Sequence, residues 1–327
     1  MKNIIFFSST AKKPSGGVKI IHQFSNYINS LKGFSSSVIK LEKKKIFKWI
    51  ESIKKKINIK TAVFTGWKFK ELKNNKNNKL TFNNKNDFII LPEIFAHFAE
   101  DFLLKNKIPY AIFVQNGYNL FPTNDTRKIN LAYRKAKFIL SYSKDIDDCV
   151  SMAFPKIRNK ILNVIPSVDS KKINLKSKKW NLITYIPRKL PKNSKLIILF
   201  LQKLLPSGWK IKPIHNLSEF KVFKILAQSK IFLSFSELEG LGLPPIEAAL
   251  AGNKVIGYTG EAGKEYWKKP IFTEIDNGNI KKFCKEILDN LKTKDFVKNT
   301  RDQRKKLAIK YSFSNEKLSI KKFLKKI

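Results

Sequence analysis

Two glutamates, Glu239 and Glu247, stand on either side of a short segment that contains two glycines. An apolar run over 231–235 precedes this segment and predicts a strand, while 245–251 has the composition of a helix. A glycine turn before a helix presents backbone N–H groups and the positive end of the helix dipole, which together bind anions. Glu247, in the first turn of the predicted helix, is placed to accept hydrogen bonds from a vicinal diol. The alternative is an ordinary strand–loop–helix junction with one solvated and one capping glutamate.

The sequence around these glutamates is far more specific than the pair itself. Residues 236–248 follow the pattern Ser-x-x-Glu-Gly-x-Gly-Leu-Pro-x-x-Glu-Ala, and 251–257 continue as Ala-Gly-Asn-Lys-Val-Ile-Gly. This run resembles the donor-site signature of retaining glycosyltransferases with the GT-B fold, in the family 4-like group. That group includes sucrose-phosphate synthases and many lipopolysaccharide and capsule transferases. The resemblance implies two Rossmann-like domains and a nucleotide-diphosphate-sugar donor.

The resemblance also assigns roles within the run. Glu239 would contact hydroxyls of the transferred sugar, and Glu247 would bind the donor ribose. Backbone amides that hold the sugar and its phosphate would come from Gly240, Leu241, Gly242 and Leu243. In the front-face mechanism commonly proposed for these enzymes, the leaving diphosphate helps to deprotonate the acceptor. No protein nucleophile, metal or other cofactor is then required, and the protein contributes positioning and charge stabilisation.

A basic segment at the end of another predicted strand is similar to the family's diphosphate site. Residues 185–189 are Tyr-Ile-Pro-Arg-Lys, and the guanidinium of Arg188 is suited to bidentate phosphate contacts. The family pattern has a lysine five positions after the arginine, where this chain has Asn193. Lys189 and Lys192 are both candidates for the missing partner. A random surface lysine is the competing interpretation, because the chain has 60 lysines.

The first half offers further donor-binding candidates and the acceptor-side candidates by the same resemblance. Gly16 and Gly17, in a Pro-Ser-Gly-Gly loop after the first predicted strand, match a glycine loop near the donor phosphates and the acceptor. An ordinary strand–helix turn is the alternative. Many relatives carry a histidine at the end of a middle strand, and Gln115 and Asn116 stand there instead. Their amides can orient a sugar but cannot titrate.

Other residues that invite a catalytic interpretation are weaker candidates. His97 follows a predicted strand end and is as compatible with lining the cleft as with a structural role. His22 and His215 lie in or before predicted helices and are predicted to be structural. Asp145 and Asp147 could be mistaken for a metal-binding pair. They are predicted instead to occupy a helix N-terminus, where the dipole favours acidic residues.

Two parallel sheets are needed to position these residues, and short apolar runs alternate with helical stretches as such sheets require. Predicted strands cover 4–7, 37–41, 61–65, 88–91, 111–114, 138–141, 164–166, 181–186, 195–201, 231–235 and 254–258. We predict an α/β GT-B fold in which two doubly wound domains face each other across a cleft. The acceptor-side domain would span 1–170 and the donor domain 171–312. A terminal helix over 313–327 would cross back to the first domain.

Length and composition are consistent with two folded domains. The chain has 327 residues, of which 43% are hydrophobic, including 26 Phe and 5 Trp, so it can form substantial cores. Its two cysteines, Cys149 and Cys284, are far apart, which favours a reducing cytoplasm. No uncharged apolar stretch reaches the length of a transmembrane helix. The sequence therefore predicts a cytoplasmic protein, with peripheral contact at the inner face of the membrane as a further interpretation.

The net charge of +41 widens the range of partners to be considered. Only six of the 66 basic residues are arginine, a skew that an AT-rich genome explains as well as phosphate binding does. No zinc-finger spacing or RNA-binding signature accompanies the charge, so no specific nucleic-acid partner is predicted. Residues 43–60 combine apolar positions near one helical face with many lysines. They are compatible either with an anionic membrane surface or with a helix packed on the sheet.

Three functions follow from these observations. The first is a glycosyltransferase that moves a hexosyl or related group to a glycan, lipid-linked or other envelope acceptor. The second is a GT-B protein that binds nucleotide sugars or glycans without catalysis, favoured by the amides at Gln115 and Asn116. The third is a basic membrane or nucleic-acid adaptor that uses the overall charge.

Overall fold

The computed structural model describes residues 1–9, 16–41, 82–173, 175, 177–292 and 295–327. The predicted strand over 61–65, the basic segment 43–60 and the Pro-Ser half of the first glycine loop lie outside these residues. The described chain forms two compact units. One comprises Met1–Val164 together with Lys317–Ile327, and the other comprises Ile165–Glu316.

The first unit is built on a sheet of six parallel strands in the order β2-β1-β3-β4-β5-β6. Its helices and strands are β1 (Lys2–Ser9), α1 (Gly16–Asn29), β2 (Phe34–Leu41), β3 (Asp87–Pro92), β4 (Tyr110–Phe113), α2 (Thr126–Lys135), β5 (Phe138–Ser141), α3 (Lys144–Ala153) and β6 (Ile161–Asn163). All six residues of β3 are buried, as is expected for a central strand covered by helices on both faces. Because the order reverses between β1 and β3, a topological switch point lies at their carboxyl ends.

The second unit has a sheet of five parallel strands in the order β11-β10-β9-β7-β8. Its helices and strands are β7 (Trp180–Tyr185), α4 (Pro191–Leu204), β8 (Lys210–Pro213), α5 (Glu219–Gln228), β9 (Ser229–Glu239), α6 (Leu243–Leu250), β10 (Lys254–Glu261), β11 (Phe272–Glu274), α7 (Ile280–Asn290), α8 (Phe296–Asn299) and α9 (Arg301–Lys310). The strand order again reverses beside the first strand, here between β7 and β9. The two units therefore share one doubly wound topology.

Most predicted strands that fall within the described residues are confirmed with small shifts, but one is wrong, and β8 and β11 were not predicted. The run 195–201 was predicted as a strand and forms the middle of helix α4. Its buried positions, Ser194, Ile197 and Leu201, recur at helical spacing on one face. The outer face of the helix is also apolar, so the run lacks the polar positions that normally reveal a helix. The last strand of the first sheet is also displaced, since it covers Ile161–Asn163 and not 164–166.

The chain ends in helix α10 (Phe313–Leu324). The division between the units falls inside this helix, between Glu316 and Lys317. In the first unit, the ring of Phe323 packs edge-on against Phe88 from β3 and Phe138 from β5. In the second unit, a carboxylate oxygen of Glu316 accepts a hydrogen bond from the backbone N–H of Ser167 at 2.7 Å. The last turns of the chain thus complete the core of the first unit.

Candidate functional site

The switch point of the second sheet brings together the ends of β7 and β9. These strands are parallel neighbours, so their carboxyl ends lie at the same edge of the sheet. Strand β7 ends at Tyr185, and the chain continues through 186–190 into α4. Strand β9 ends at Glu239, and the glycine turn 240–242 follows it. Open parallel sheets bind ligands at this position, outside the strand ends where the topology reverses.

An ion pair joins the two loops at this edge. The Nζ atom of Lys189 lies 2.6 Å from Oε1 of Glu239, and the two side chains are 38% and 23% exposed. The resemblance predicts Lys189 beside a diphosphate and Glu239 beside a sugar, and the two residues lie 50 positions apart in the chain. The structure puts a cation and an anion in contact at the topological switch point. Both groups remain accessible to a ligand.

Glycine at two positions allows the loop backbone to adopt this arrangement. Gly242 precedes α6 with φ 78° and ψ 67°, in the left-handed region that L side chains rarely occupy. Gly260, on β10, has φ 69°, and a Cβ there would lie 3.0 Å from Cγ of Glu239. The absence of a side chain at Gly260 therefore makes room for the Glu239 carboxylate.

Helix α6 begins two residues earlier than the sequence predicted, at Leu243. Pro244 and Pro245 fall in its first turn, and proline has no backbone N–H. The donors at this helix end therefore come from Leu243 and from the turn before it, including Gly240 and Leu241. Glu247 lies in the second turn, not the first, and its side chain is half-buried.

Tyr266 positions the glycine turn through its hydroxyl group, a role that the sequence does not predict. Its hydroxyl donates to the carbonyl oxygens of Leu241 at 3.0 Å and Gly242 at 2.8 Å. Burial raises the pKa of Tyr266 above its ordinary value, so the hydroxyl stays protonated. Because Tyr266 follows β10 and a short 3₁₀ helix (Ala262–Glu265), only the tertiary fold brings it to the turn.

The remaining basic candidates lie in the same loop as Lys189 and in the helix that follows it. Arg188 is exposed in the loop after β7, and Lys192 is exposed in the first turn of α4. Leu190 precedes α4 with φ 42°, an uncommon conformation for a leucine. Asn193, at the position where the family pattern has lysine, directs its Nδ2 toward the hydroxyl of Tyr258 at 3.4 Å. Lys189 is the lysine candidate that the structure pairs with a residue of the glycine segment.

In the first unit, the structure brings Gly17 and Gln115 into contact. Nε2 of Gln115 donates to the carbonyl oxygen of Gly17 at 3.0 Å. A Cβ at Gly17 would lie only 2.4 Å from Oε1 of Gln115, so a side chain at this position would displace the Gln115 amide. Gly16 precedes it as the first residue of α1, and its surface is exposed. The first turn of α1 and the residues that follow β4 are therefore joined at the carboxyl edge of the first sheet.

Asn116 and Glu93 complete this edge. The side-chain oxygen of Asn116 accepts from the backbone N–H of Tyr118 at 2.9 Å and caps a 3₁₀ turn. Glu93, directly after β3, is 4% exposed and accepts from the backbone N–H of Gln115 at 3.1 Å. Burial raises the pKa of Glu93 to about 7. Hydrogen bonds from backbone N–H groups, including those of Gln115 and Asn116, oppose this rise. No single-sequence pattern marked Glu93, because an isolated glutamate after a strand is common.

The weaker candidates in the first unit are partly buried or form hydrogen bonds there. Burial, together with the charge of Lys128, lowers the pKa of His97, and burial lowers that of His22 to about 4. Ser143 caps α3, as the sequence predicts. Asp145 accepts from the hydroxyl of Tyr118 at 3.0 Å, and Asp147 accepts from Nδ2 of Asn163 at 2.9 Å.

Two features are absent from the described residues. Among them, no group of three or more His, Cys, Asp or Glu side chains is arranged to hold a metal ion. None of the helices they form combines the length and apolar character needed to cross a bilayer. Both cysteines are free.

Solved structures with the same two-unit architecture identify the fold. Anabaena HepE in complex with UDP superimposes with a TM-score of 0.69 at 11% identity, over 100% of both chains. Sucrose-phosphate synthase from Thermosynechococcus elongatus gives 0.67 at 9% identity, over 100% of this chain and 99% of that one. A TarM mutant from S. aureus, solved with Fondaparinux, alpha-GlcNAc-glycerol and UDP, gives 0.69 at 12% identity over 99% of each chain. The protein therefore has the GT-B fold, formed by two Rossmann-like units.

Comparison of sequences gives a match over only a small part of the chain. No protein-family model matches the chain. A curated protein of Acidianus filamentous virus 2, named "Putative glycosyltransferase ORF330", is 39% identical over 56 residues. That match spans 17% of this chain and 17% of the viral protein.

Proposed function

We propose that the protein is a glycosyltransferase that uses a nucleotide-diphosphate-sugar donor, of the retaining family 4-like group. The observation that carries the proposal is the Lys189–Glu239 ion pair at the switch point beside the glycine turn. A carboxylate for sugar hydroxyls and a cation for the diphosphate meet at the edge where this fold binds ligands. HepE and TarM, which share the fold, were solved with UDP, so UDP-sugars are the first donors to test.

In this proposal each loop supplies one part of the donor site. Glu247 binds the ribose hydroxyls, and Glu239 binds hydroxyls of the transferred sugar. Arg188 and Lys189 neutralise the diphosphate, and Lys189 is preferred to Lys192 because it already contacts the glycine segment. Amides of the turn 240–243 complete the phosphate contacts. The protein then stabilises the charge that develops on the leaving diphosphate, without a nucleophile of its own.

The acceptor is assigned to the carboxyl edge of the first unit. Gln115 and Asn116 are the candidates, with His97 in the 3₁₀ helix after β3. Gly16 and Gly17 are assigned to the donor phosphates. Nδ1 of His97 is buried and has no hydrogen-bond partner among the described residues. A glycan or a lipid-linked or other envelope sugar is the proposed acceptor, since TarM was solved with glycan ligands. The proposed location is the cytoplasm, with peripheral contact at the inner face of the membrane.

The substitution Glu247→Ala tests the donor site. Loss of hydrogen bonds from a charged acceptor should weaken UDP-sugar binding about tenfold or more, measured by calorimetry after a thermal-shift panel selects the donor. Glu274→Ala, at an exposed glutamate on β11 in the same unit, is the matched control and should bind as the wild type does. Unchanged affinity in Glu247→Ala would show that the assignment of the site is wrong.

A non-catalytic sugar-binding protein is the second candidate, favoured by the side chain of Asn116 being engaged in capping a turn. Turnover separates the two candidates. The glycosyltransferase releases UDP from a UDP-sugar in the presence of an acceptor, and Glu239→Ala lowers kcat. Tight UDP-sugar binding with no release of UDP, for any acceptor preparation, would favour the binding protein.

A further inference from the structure

Helix α4 exposes an apolar face. Its inner face, Ser194, Ile197 and Leu201, is buried against the second sheet. Its outer face carries four large apolar side chains, each between 42% and 53% exposed: Leu196, Leu199, Phe200 and Leu204. Leu196, Phe200 and Leu204 recur every four positions, and Leu199 lies three positions after Leu196, so the four residues form one stripe. Isolated exposed apolar residues are ordinary, but a continuous stripe indicates an interaction surface.

A groove beside this stripe extends the apolar surface onto helix α7. Phe200 and Leu204 line it from α4, and Cys284 and Leu288 line it from α7. Lys281, Lys285 and Asp289 form its polar rim. The volume of the groove is about 360 Å³. The stripe and the groove together are called the α4–α7 face below.

Lysines surround the α4–α7 face, and little negative charge offsets them. Lys192 and Lys203 lie at the two ends of the stripe, and Lys195 lies along its side; all three are exposed. On α7, Lys285 is paired with Asp289 at 2.7 Å, whereas Lys281 is exposed on the rim. Lysine stems can cover apolar surface while their ammonium groups reach toward a charged layer. The face thus combines an apolar centre with a cationic border.

We propose that the α4–α7 face docks the protein on an anionic lipid surface. A bilayer with anionic headgroups matches both parts, since apolar side chains enter the headgroup–acyl boundary while lysines contact the phosphates. A second copy of the chain would bring the same cationic border and a net charge of +41, which opposes pairing through this face. The surface is separate from residues 43–60 and does not depend on the activity proposed above.

Vesicle co-sedimentation of the full-length protein tests this docking. The probes are vesicles of phosphatidylcholine alone, or of phosphatidylcholine and phosphatidylglycerol in equal parts. We expect binding to the anionic vesicles that weakens with added salt. The double variant Leu199→Gln/Phe200→Gln should bind them about tenfold less tightly or worse, because its apolar contact is lost. Phe220→Gln, at a 76% exposed phenylalanine on α5 of the same unit, is the matched control and should bind as the wild type does.

A charge variant gives an independent readout. Lys203→Gln should weaken binding to the anionic vesicles about fivefold and leave any binding to neutral vesicles unchanged. Far-ultraviolet circular dichroism and thermal melts confirm that each variant is folded. Equal vesicle binding by the wild type and Leu199→Gln/Phe200→Gln would overturn the proposal and move any membrane contact elsewhere on the chain. A wild-type dimer that this variant dissociates, with no vesicle binding, would overturn it in favour of a second copy.

Discussion

Glu93 is a carboxyl group whose ionisation is set by its position in the fold. It follows a buried central strand and is itself buried, which raises its pKa from the ordinary 4.5 to about 7. Between pH 4.5 and about 7, the folded protein keeps the proton on Glu93 that the unfolded chain releases. The stability that this group contributes is therefore complete below about pH 4.5 and is lost as the pH rises through about 7.

Glu93→Gln should remove this pH dependence. Glutamine keeps a side-chain oxygen that accepts from the backbone N–H of Gln115 and cannot ionise. We expect the free energy of unfolding of the wild type to fall by up to about 1.4 kcal/mol per pH unit across this window because of Glu93. Urea unfolding at a series of pH values should show a shallower slope in Glu93→Gln than in Glu274→Gln, an exposed control. Parallel slopes in the two variants would refute this account.

The residues of the proposed donor site differ in how far the sequence reveals them. Glu239 and Glu247 were found because they lie within one continuous pattern, and their roles remain proposals. Tyr266 contacts the turn through the carbonyl oxygens of Leu241 and Gly242, which lie 25 and 24 positions before it in the chain. The segment 257–266 resembles a family loop that borders the sugar, but nothing in the sequence predicts that Tyr266 holds the turn. Tyr266 reaches the turn because β10, which precedes it, pairs with β9, which precedes the turn. The sequence near Tyr266 does not show this pairing.

At the scale of the element, Lys179 caps the carboxyl ends of two helices. Its ammonium group donates to the carbonyl oxygens of Leu226 at 3.2 Å, Ser229 at 2.7 Å and Ala251 at 2.6 Å. These acceptors lie at or just beyond the ends of α5 and α6, where carbonyl groups lack partners within the helix. In its ammonium form Lys179 has three donors, which match the three carbonyls. Burial lowers the pKa of Lys179 to about 7, so this form predominates below neutral pH. Helix α6, which follows the glycine turn, is thereby fixed at its far end.

Lys179→Met should destabilise the protein by about 2–4 kcal/mol, because it leaves buried carbonyl groups without this donor. Methionine preserves much of the length and apolar character of the lysine stem. The control is Lys224→Met, at an exposed lysine on α5, for which we expect a change within about 0.5 kcal/mol. Thermal melts at one pH provide the comparison. A Tm for Lys179→Met equal to that of the control would show that the cap contributes nothing.

Helix α4 shows where prediction of an element fails. Six consecutive apolar residues, 196–201, favour a buried strand when only the sequence is considered. A helix that is apolar on its inner and outer faces gives the same run without helical periodicity. Only the packing of Ile197 and Leu201 into the core distinguishes the buried face from the exposed one. The exposed stripe is therefore also the reason why the helix was missed.

At the scale of the whole molecule, the net charge of +41 supplies a long-range attraction for anions. We expect binding to a polyanion such as heparin to weaken steeply as salt rises, because bound counterions are released on association. Glu247→Ala should leave this binding unchanged while UDP-sugar binding falls, measured on the same preparation. Loss of heparin binding together with UDP-sugar binding in this variant would contradict a separate donor site.

The sequence alone determined most of the buried central strands and the position of the glycine turn, because both depend on short-range patterns. It did not reveal the edge strands β8 and β11. Buried parallel strands require continuous apolar runs, and the turn before α6 requires glycine at positive φ. The tertiary structure decided which residues meet: Lys189 with Glu239, Gln115 with Gly17, and Tyr266 with the turn. It also decided that α4 is a helix with an exposed apolar face. These contacts depend on strand order and register, which are set by packing between distant segments and leave no local trace in the sequence.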